Sequence, residues 1–205
     1  MLWSRRRVVL GSLLAAGPAG AFGIRASAAP VAGSLAGQLL VASPGMRGSE
    51  FVRTVILMVE HDPTGALGLV INRPVGERPV AELLRALGQD AGNAHGKLTL
   101  YAGGPVQPGV GFVVHSSEYR VPGTLVLDEH VAVSSAMQVL RDIGADRGPR
   151  KRMLVLGYAG WAAMQLEAEL SLGAWLAVPA LPELVFDLDR EKLWEAALSE
   201  RTIPL

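Results

Sequence analysis

The stretch from Val59 to Pro74, V-E-H-D-P-T-G-A-L-G-L-V-I-N-R-P, constrains the fold more than any other part of the chain. Two apolar runs, 55–59 and 67–71, flank Asp62-Pro63-Thr64-Gly65, whose residue types suit a short hairpin loop. A hairpin commits the chain to antiparallel pairing at that point. Both runs are continuously apolar rather than alternating, so they read as strands covered on both faces. The same turn delivers polar groups to strand ends, with Glu60-His61 at one and Asn72-Arg73-Pro74 at the other.

Comparable runs recur along the chain. Strands are expected at 38–42, 55–60, 67–72, 98–101, 111–114, 123–127, 131–134, 153–157, 174–178 and 185–187. Helices fit at 80–87, at 135–143 behind a Ser134 or Ser135 N-cap, at 161–172 between Gly160 and Gly173, and at 190–198 after Asp187 or Asp189. Pro74 lacks an N–H and is expected to end the ladder of the second hairpin strand. The fold class is therefore α/β of the α+β type. It is a single compact domain with a largely antiparallel, curled or barrel-like sheet and about four packed helices.

The first 28 residues are a different kind of sequence. Ser4-Arg5-Arg6-Arg7-Val8-Val9-Leu10 is a twin-arginine start, residues 9–22 are moderately apolar, and Ala26-Ser27-Ala28 is a small-x-small cleavage site. That plan is a leader for the folded-protein (Tat) export route, with the Tat machinery as a partner and the periplasm as destination. The alternative is a retained membrane anchor. The short run, diluted by Gly, Pro and Ala, argues against it, since a span needs about 20 strongly apolar residues. Residues 29–37 read as a flexible lead and 38–205 as the domain.

Removing Arg5, Arg6, Arg7 and Arg25 from the 19 basic residues leaves 15 against 19 acidic ones. A body of slightly negative charge has no footprint for a phosphate backbone, which counts against DNA as a partner. Cysteine is absent, so thiol chemistry and Cys-ligated zinc are excluded. No H-x-H, H-E-x-x-H, G-x-S-x-G, phosphate loop or dinucleotide fingerprint occurs, so no catalytic residue, metal site or cofactor is assigned.

Candidate ligand-binding residues are those at strand ends and glycine turns. His61 either faces a ligand or bonds the turn, and its neighbour Glu60 points to the opposite strand face. Asn72 and Arg73 end the hairpin; Arg73 suits a carboxylate or phosphate, or a salt bridge to Glu60 or Glu77. Gly103-Gly104 lets a ligand or a neighbouring strand approach the backbone. Tyr158 and Trp161 flank an expected helix N-terminus with spare N–H groups. On that helix Trp161, Gln165 and Glu169 would form one stripe. The basic cluster Arg147, Arg150, Lys151 and Arg152 reads as a solvated loop rather than an anion site.

These segments also carry a resemblance. Leu39-Leu40-Val41-Ala42-Ser43-Pro44, Phe51-Val52-Arg53-Thr54-Val55, the hairpin, Gly103-Gly104-Pro105-Val106, Gly157-Tyr158-Ala159-Gly160-Trp161 and Gln165-Leu166-Glu167-Ala168-Glu169 resemble the AlgH/YqgE family of bacterial proteins. The resemblance runs from about Gln38 to Leu198. It implies a mixed α/β fold, an association with transcriptional regulation for one member, and no established reaction. It also implies a cytoplasmic setting, from which an exported chain departs. Met164 stands where the family often has Gly, adding bulk beside any cleft.

The expected function is an exported protein with a non-catalytic role in binding a small molecule or protein partner, regulation included. Two alternatives stand beside it. One is an enzyme of unassigned, hydrolytic type using His61 or His115 with Arg73; the other is a cytoplasmic transcriptional regulator. A single pocket lined by His61, Arg73, Tyr158 and Gln165 would favour the enzyme.

Overall fold

The computed structural model describes residues 33–47 and 50–200; the leader and its cleavage site lie outside them. Ten strands form one sheet: β1 (Gln38–Ala42), β2 (Val55–Asp62), β3 (Gly65–Val70), β4 (Pro74–Pro79), β5 (Lys97–Ala102), β6 (Val106–Ser116), β7 (Leu125–Val126), β8 (Val131–Ser135), β9 (Arg152–Ala162) and β10 (Trp175–Pro179). Four α-helices accompany them: α1 (Val80–Ala86), α2 (Ala136–Gly144), α3 (Gln165–Ser171) and α4 (Leu193–Ser199). A π turn, Glu183–Asp187, precedes α4.

The hairpin forms between β2 and β3, with Asp62 opposite Gly65, so its loop is only Pro63-Thr64. The Asp62 carboxylate accepts from the Thr64 N–H at 2.7 Å, which closes the turn with its own side chain. Gly65 sits at φ +147°, open to glycine and strained for other residues. The continuous apolar run is covered on both faces. Val55, Leu57 and Val59 enter one core with Leu39, Val41 and Trp194, while Ile56 and Met58 enter another with Leu40, Trp161, Leu166 and Trp175. A third core packs α1 and α2 on Val113 and Leu154.

The path of the sheet is β10-β1-β2-β3-β9-β6-β8-β7, antiparallel throughout. The sheet curls into a half-barrel and forks at β9. Its C-terminal part, Ala159–Ala162, pairs with β3. Its middle, Leu154–Leu156, pairs with β5, and that pairing is parallel. Three glycines occupy the fork. The Val70 N–H donates to the Gly103 carbonyl and the Gly103 N–H to the Leu156 carbonyl, at 2.9 and 2.7 Å. A methyl group on Gly104 would overlap the Tyr158 backbone, and one on Gly103 would overlap Val155 and the Gly157 carbonyl. Here glycine is required by backbone-to-backbone contact.

Several expectations are corrected. Pro74 is not itself the terminator of the hairpin ladder, whose last β2–β3 pair is Ile56–Val70; it opens β4, an exposed edge strand bracketed by Pro74 and Pro79 and paired with β5. Residues 185–187 are not a strand but part of the π turn, because Pro182 starts a helical run and the Arg190 guanidinium donates to the Val185 carbonyl at 2.9 Å. Trp161 is not helical: β9 continues to Ala162, and the helix begins at Gln165 after Met164 in the left-handed region. Pairing of Tyr158 with Val106 and of residues 159–162 with β3 overrides the local helical pattern. The spare N–H groups expected beside Tyr158 are therefore spent in the sheet. Ser135 holds the N-cap position of α2 but makes no side-chain cap bond. Among the described residues no helix is long and apolar enough to cross a membrane.

Candidate functional site

His61 is the penultimate residue of β2, with its side chain almost covered. Its Nδ1 accepts from the Leu35 N–H at 3.0 Å, and its Nε2 lies 3.0 Å from the Glu167 carboxylate. Nδ1 is therefore the bare nitrogen and Nε2–H the donor, a neutral ring with both nitrogens engaged. The Ser34 hydroxyl donates to the His61 carbonyl, so residues of the expected lead are held against β2. The Glu167 carboxyl is held below its ordinary range, by its own backbone N–H first and by His61 second.

Trp161, Gln165 and Glu169 do meet, although strand and helix supply them separately. One Glu169 oxygen accepts from the indoles of Trp161 and Trp175 at 3.0 and 2.7 Å; the other accepts from the Gln165 amide at 3.1 Å. The Gln165 oxygen accepts from the Ala162 N–H. This carboxylate braces α3 to β9 and β10.

Asn72 and Arg73 lie elsewhere. The Asn72 side chain accepts from the Val55 N–H and donates to the Arg53 carbonyl, tying β3's end to β2's start. Arg73 donates to Thr54 Oγ1 at 2.8 Å and to the Val52 carbonyl at 3.3 Å. It lines a cleft of about 210 Å³ with Phe51, Val70, Gly104 and Pro105. Gly103 and Gly104 stand at the fork beneath it, and the Tyr158 ring packs edge-on against Phe112. Neither this cleft nor the one described next includes His61, Tyr158, Trp161, Gln165 or Glu169.

One contact has the form of a serine activated by histidine. Ser134 Oγ lies 2.9 Å from His115 Nε2, and His115 Nδ1 lies 2.9 Å from the Ser116 carbonyl. The carbonyl requires a proton on Nδ1, so Ser134 donates to Nε2, and Thr124 Oγ1 sits 2.8 Å behind Ser134. Burial pushes the imidazole below its ordinary value. Ser134 is 1% and His115 0% exposed, with Tyr119 edge-on over the ring. No substrate reaches that hydroxyl in this conformation; the chain of bonds joins β6, β8 and the loop before β7.

The second cleft, about 380 Å³, opens where β5 and β9 start side by side. Leu98, Tyr101 and Met153 form its buried floor, Phe186 of the π turn a wall, and Lys97, Arg150, Lys151 and Arg152 its exposed rim. Lys151 is paired with Asp187 at 2.5 Å, and Arg150 lies near Glu118. Lys97 has no acidic partner among the described residues. Arg147, grouped with this cluster in the sequence, turns instead to Asp142. Sequence reasoning missed Lys97, Thr99, Tyr101 and Phe186, and no local pattern marks them: the parallel β5–β9 pairing alone brings them to the basic loop. Among the described residues no three His, Asp or Glu side chains gather as a metal site.

Comparison with known proteins gives a consistent answer. A UPF0301 protein of Methylococcus capsulatus is 42% identical over 169 residues, covering 82% of this chain and 92% of that relative. A UPF0301 protein of Pseudomonas aeruginosa is 46% identical over 168 residues, covering 81% and 88%. The solution structure of the AlgH protein from Pseudomonas aeruginosa superposes with a TM-score of 0.69 at 41% identity, covering 87% of this chain and 94% of that one. The family model described as AlgH-like matches residues 39–205, and the chain belongs to that family.

Proposed function

We propose that this chain is an exported, non-catalytic binding protein that takes an anionic ligand in the cleft between the starts of β5 and β9. The observation that carries this reading is the lining of that cleft: four basic side chains and the hydroxyls of Thr99 and Tyr101, with no acidic side chain among them. Lys97 and Arg152, the two rim cations without an acidic partner among the described residues, select for negative charge. The volume falls in the lower part of the range of small-molecule sites, about 300–1,000 Å³. Export follows from the twin-arginine leader, and cleavage after Ala28 would release the body into the periplasm.

The groups of the enzyme alternative are engaged as scaffold: His61 to Leu35 and Glu167, His115 to Ser134, Arg73 to Thr54. For DNA, the rim is one cleft wide on a body with more acids than bases, which favours a small ligand over a long polyanion. The test is native mass spectrometry of protein purified from the periplasm of the exporting cell. A bound anionic mass, lost when Lys97 and Arg152 are both changed to Gln, is the expected result. Recovery from the cytoplasm only, with no bound mass, would overturn the reading.

A further inference from the structure

We infer that the ligand of this cleft is a phosphate monoester carrying a flat, apolar body, an inference that rests on the anion-binding reading above. Charge supplies the first part. Of the four rim cations, Lys151 is neutralised by Asp187 and Arg150 is offset by Glu118, leaving Lys97 and Arg152. A remainder of two positive charges matches a phosphate monoester, which carries about −1.5 to −2 near neutral pH, better than a monocarboxylate.

The floor supplies the second part. Tyr101 is 8% exposed, and among the described residues its hydroxyl has no hydrogen-bond partner, although it lines the cleft. No buried side-chain nitrogen or oxygen among the described residues lacks a partner, so this hydroxyl is open to the cleft, where a phosphate oxygen would take the place of water as its acceptor. Burial pushes the Tyr101 phenol up, with Arg190 opposing, so it remains a donor at neutral pH. Arg152 spends one Nη1 bond on the Pro149 carbonyl and keeps its remaining N–H groups for a ligand. The third part is the wall of Phe186 with Leu98 and Met153, which offers a bare anion nothing but offers a ring an apolar surface.

The experiment titrates the purified full chain with phenyl phosphate, inorganic phosphate and benzoate at low ionic strength, read by calorimetry and by amide shifts of β5 and β9. Phenyl phosphate is expected to bind about tenfold more tightly than either of the others. Lys97→Gln and Arg152→Gln should each weaken it about tenfold, and Tyr101→Phe about fivefold. Phe186→Ala should weaken phenyl phosphate about tenfold, to the level of inorganic phosphate. Benzoate or inorganic phosphate binding as tightly as phenyl phosphate overturns this ligand class but leaves the anion site standing. No saturable binding of any of the three overturns both. Binding that Lys97→Gln, Arg152→Gln and Tyr101→Phe leave untouched, with their melting temperatures unchanged, places the site elsewhere and also overturns the inference.

Discussion

Replacing Glu169 with Ala tests whether its carboxylate is a brace or a ligand contact. The substitution removes the acceptor shared by the indole N–H groups of Trp161 and Trp175 and by the Gln165 amide. Trp161 and Trp175 are 8% and 3% exposed, and each indole makes its hydrogen bond to this one carboxylate. An orphaned buried donor costs roughly 1–3 kcal/mol, and more when the lost acceptor was charged. Glu169 itself is half-buried, so water reaches the space it vacates and the lower half of that range applies to each indole. Gln165, also half-buried, regains water at little cost. The sum over the two indoles is about 2–4 kcal/mol. With a urea m-value of about 2 kcal/mol/M, the midpoint should fall by about 1–2 M at constant m. Glu169→Gln retains one acceptor and should lose about half as much. Equilibrium urea unfolding followed by tryptophan fluorescence measures both. A midpoint for Glu169→Ala within about 0.2 M of the parent would refute the brace and return Glu169 to the surface as a ligand-facing group.

Gly104→Ala forces a methyl group into the Tyr158 backbone at φ +148°, and should cost more than about 3 kcal/mol or prevent folding. Gly88→Ala, at φ +70° with nothing within 4 Å, should cost only about 1–2 kcal/mol, so equal melting temperatures for the two would contradict the fork. His115 gives a pH dependence. Its folded value lies below 6.5 because it is buried, so on acidification the unfolded chain takes up a proton that the native ring refuses. Stability present above pH 6.5 is therefore lost as the pH falls through the depressed folded value; identical urea midpoints at pH 7.0 and 5.5 would contradict this. Changing both Arg5 and Arg6 to Lys should hold the protein in the cytoplasm, scored by fractionation, and continued export would remove the twin-arginine reading.

Periodicity and turn chemistry determined much of this protein without any coordinates. The apolar run at 55–59 announced a strand covered on both faces, and Asp62-Pro63-Thr64-Gly65 announced its hairpin, because both signals lie within a few residues of chain. The curled, largely antiparallel sheet followed from such pairs, and so did the family resemblance. Tertiary structure decided what depends on distant partners. Trp161 looked helical beside Gln165, yet pairing with Ala66 drew it into β9, and Glu169 still reached it through space. Pro74 looked like the terminator of the hairpin ladder, yet that ladder already stops at Val70 and Pro74 opens an edge strand against β5. The basic loop at Arg150–Arg152 reads as solvent-facing by itself; only the parallel alignment of β5 with β9 sets Lys97 and Tyr101 beside it. Local sequence encodes backbone preference within a turn or two, whereas a cleft is made by side chains that meet only once the sheet has closed.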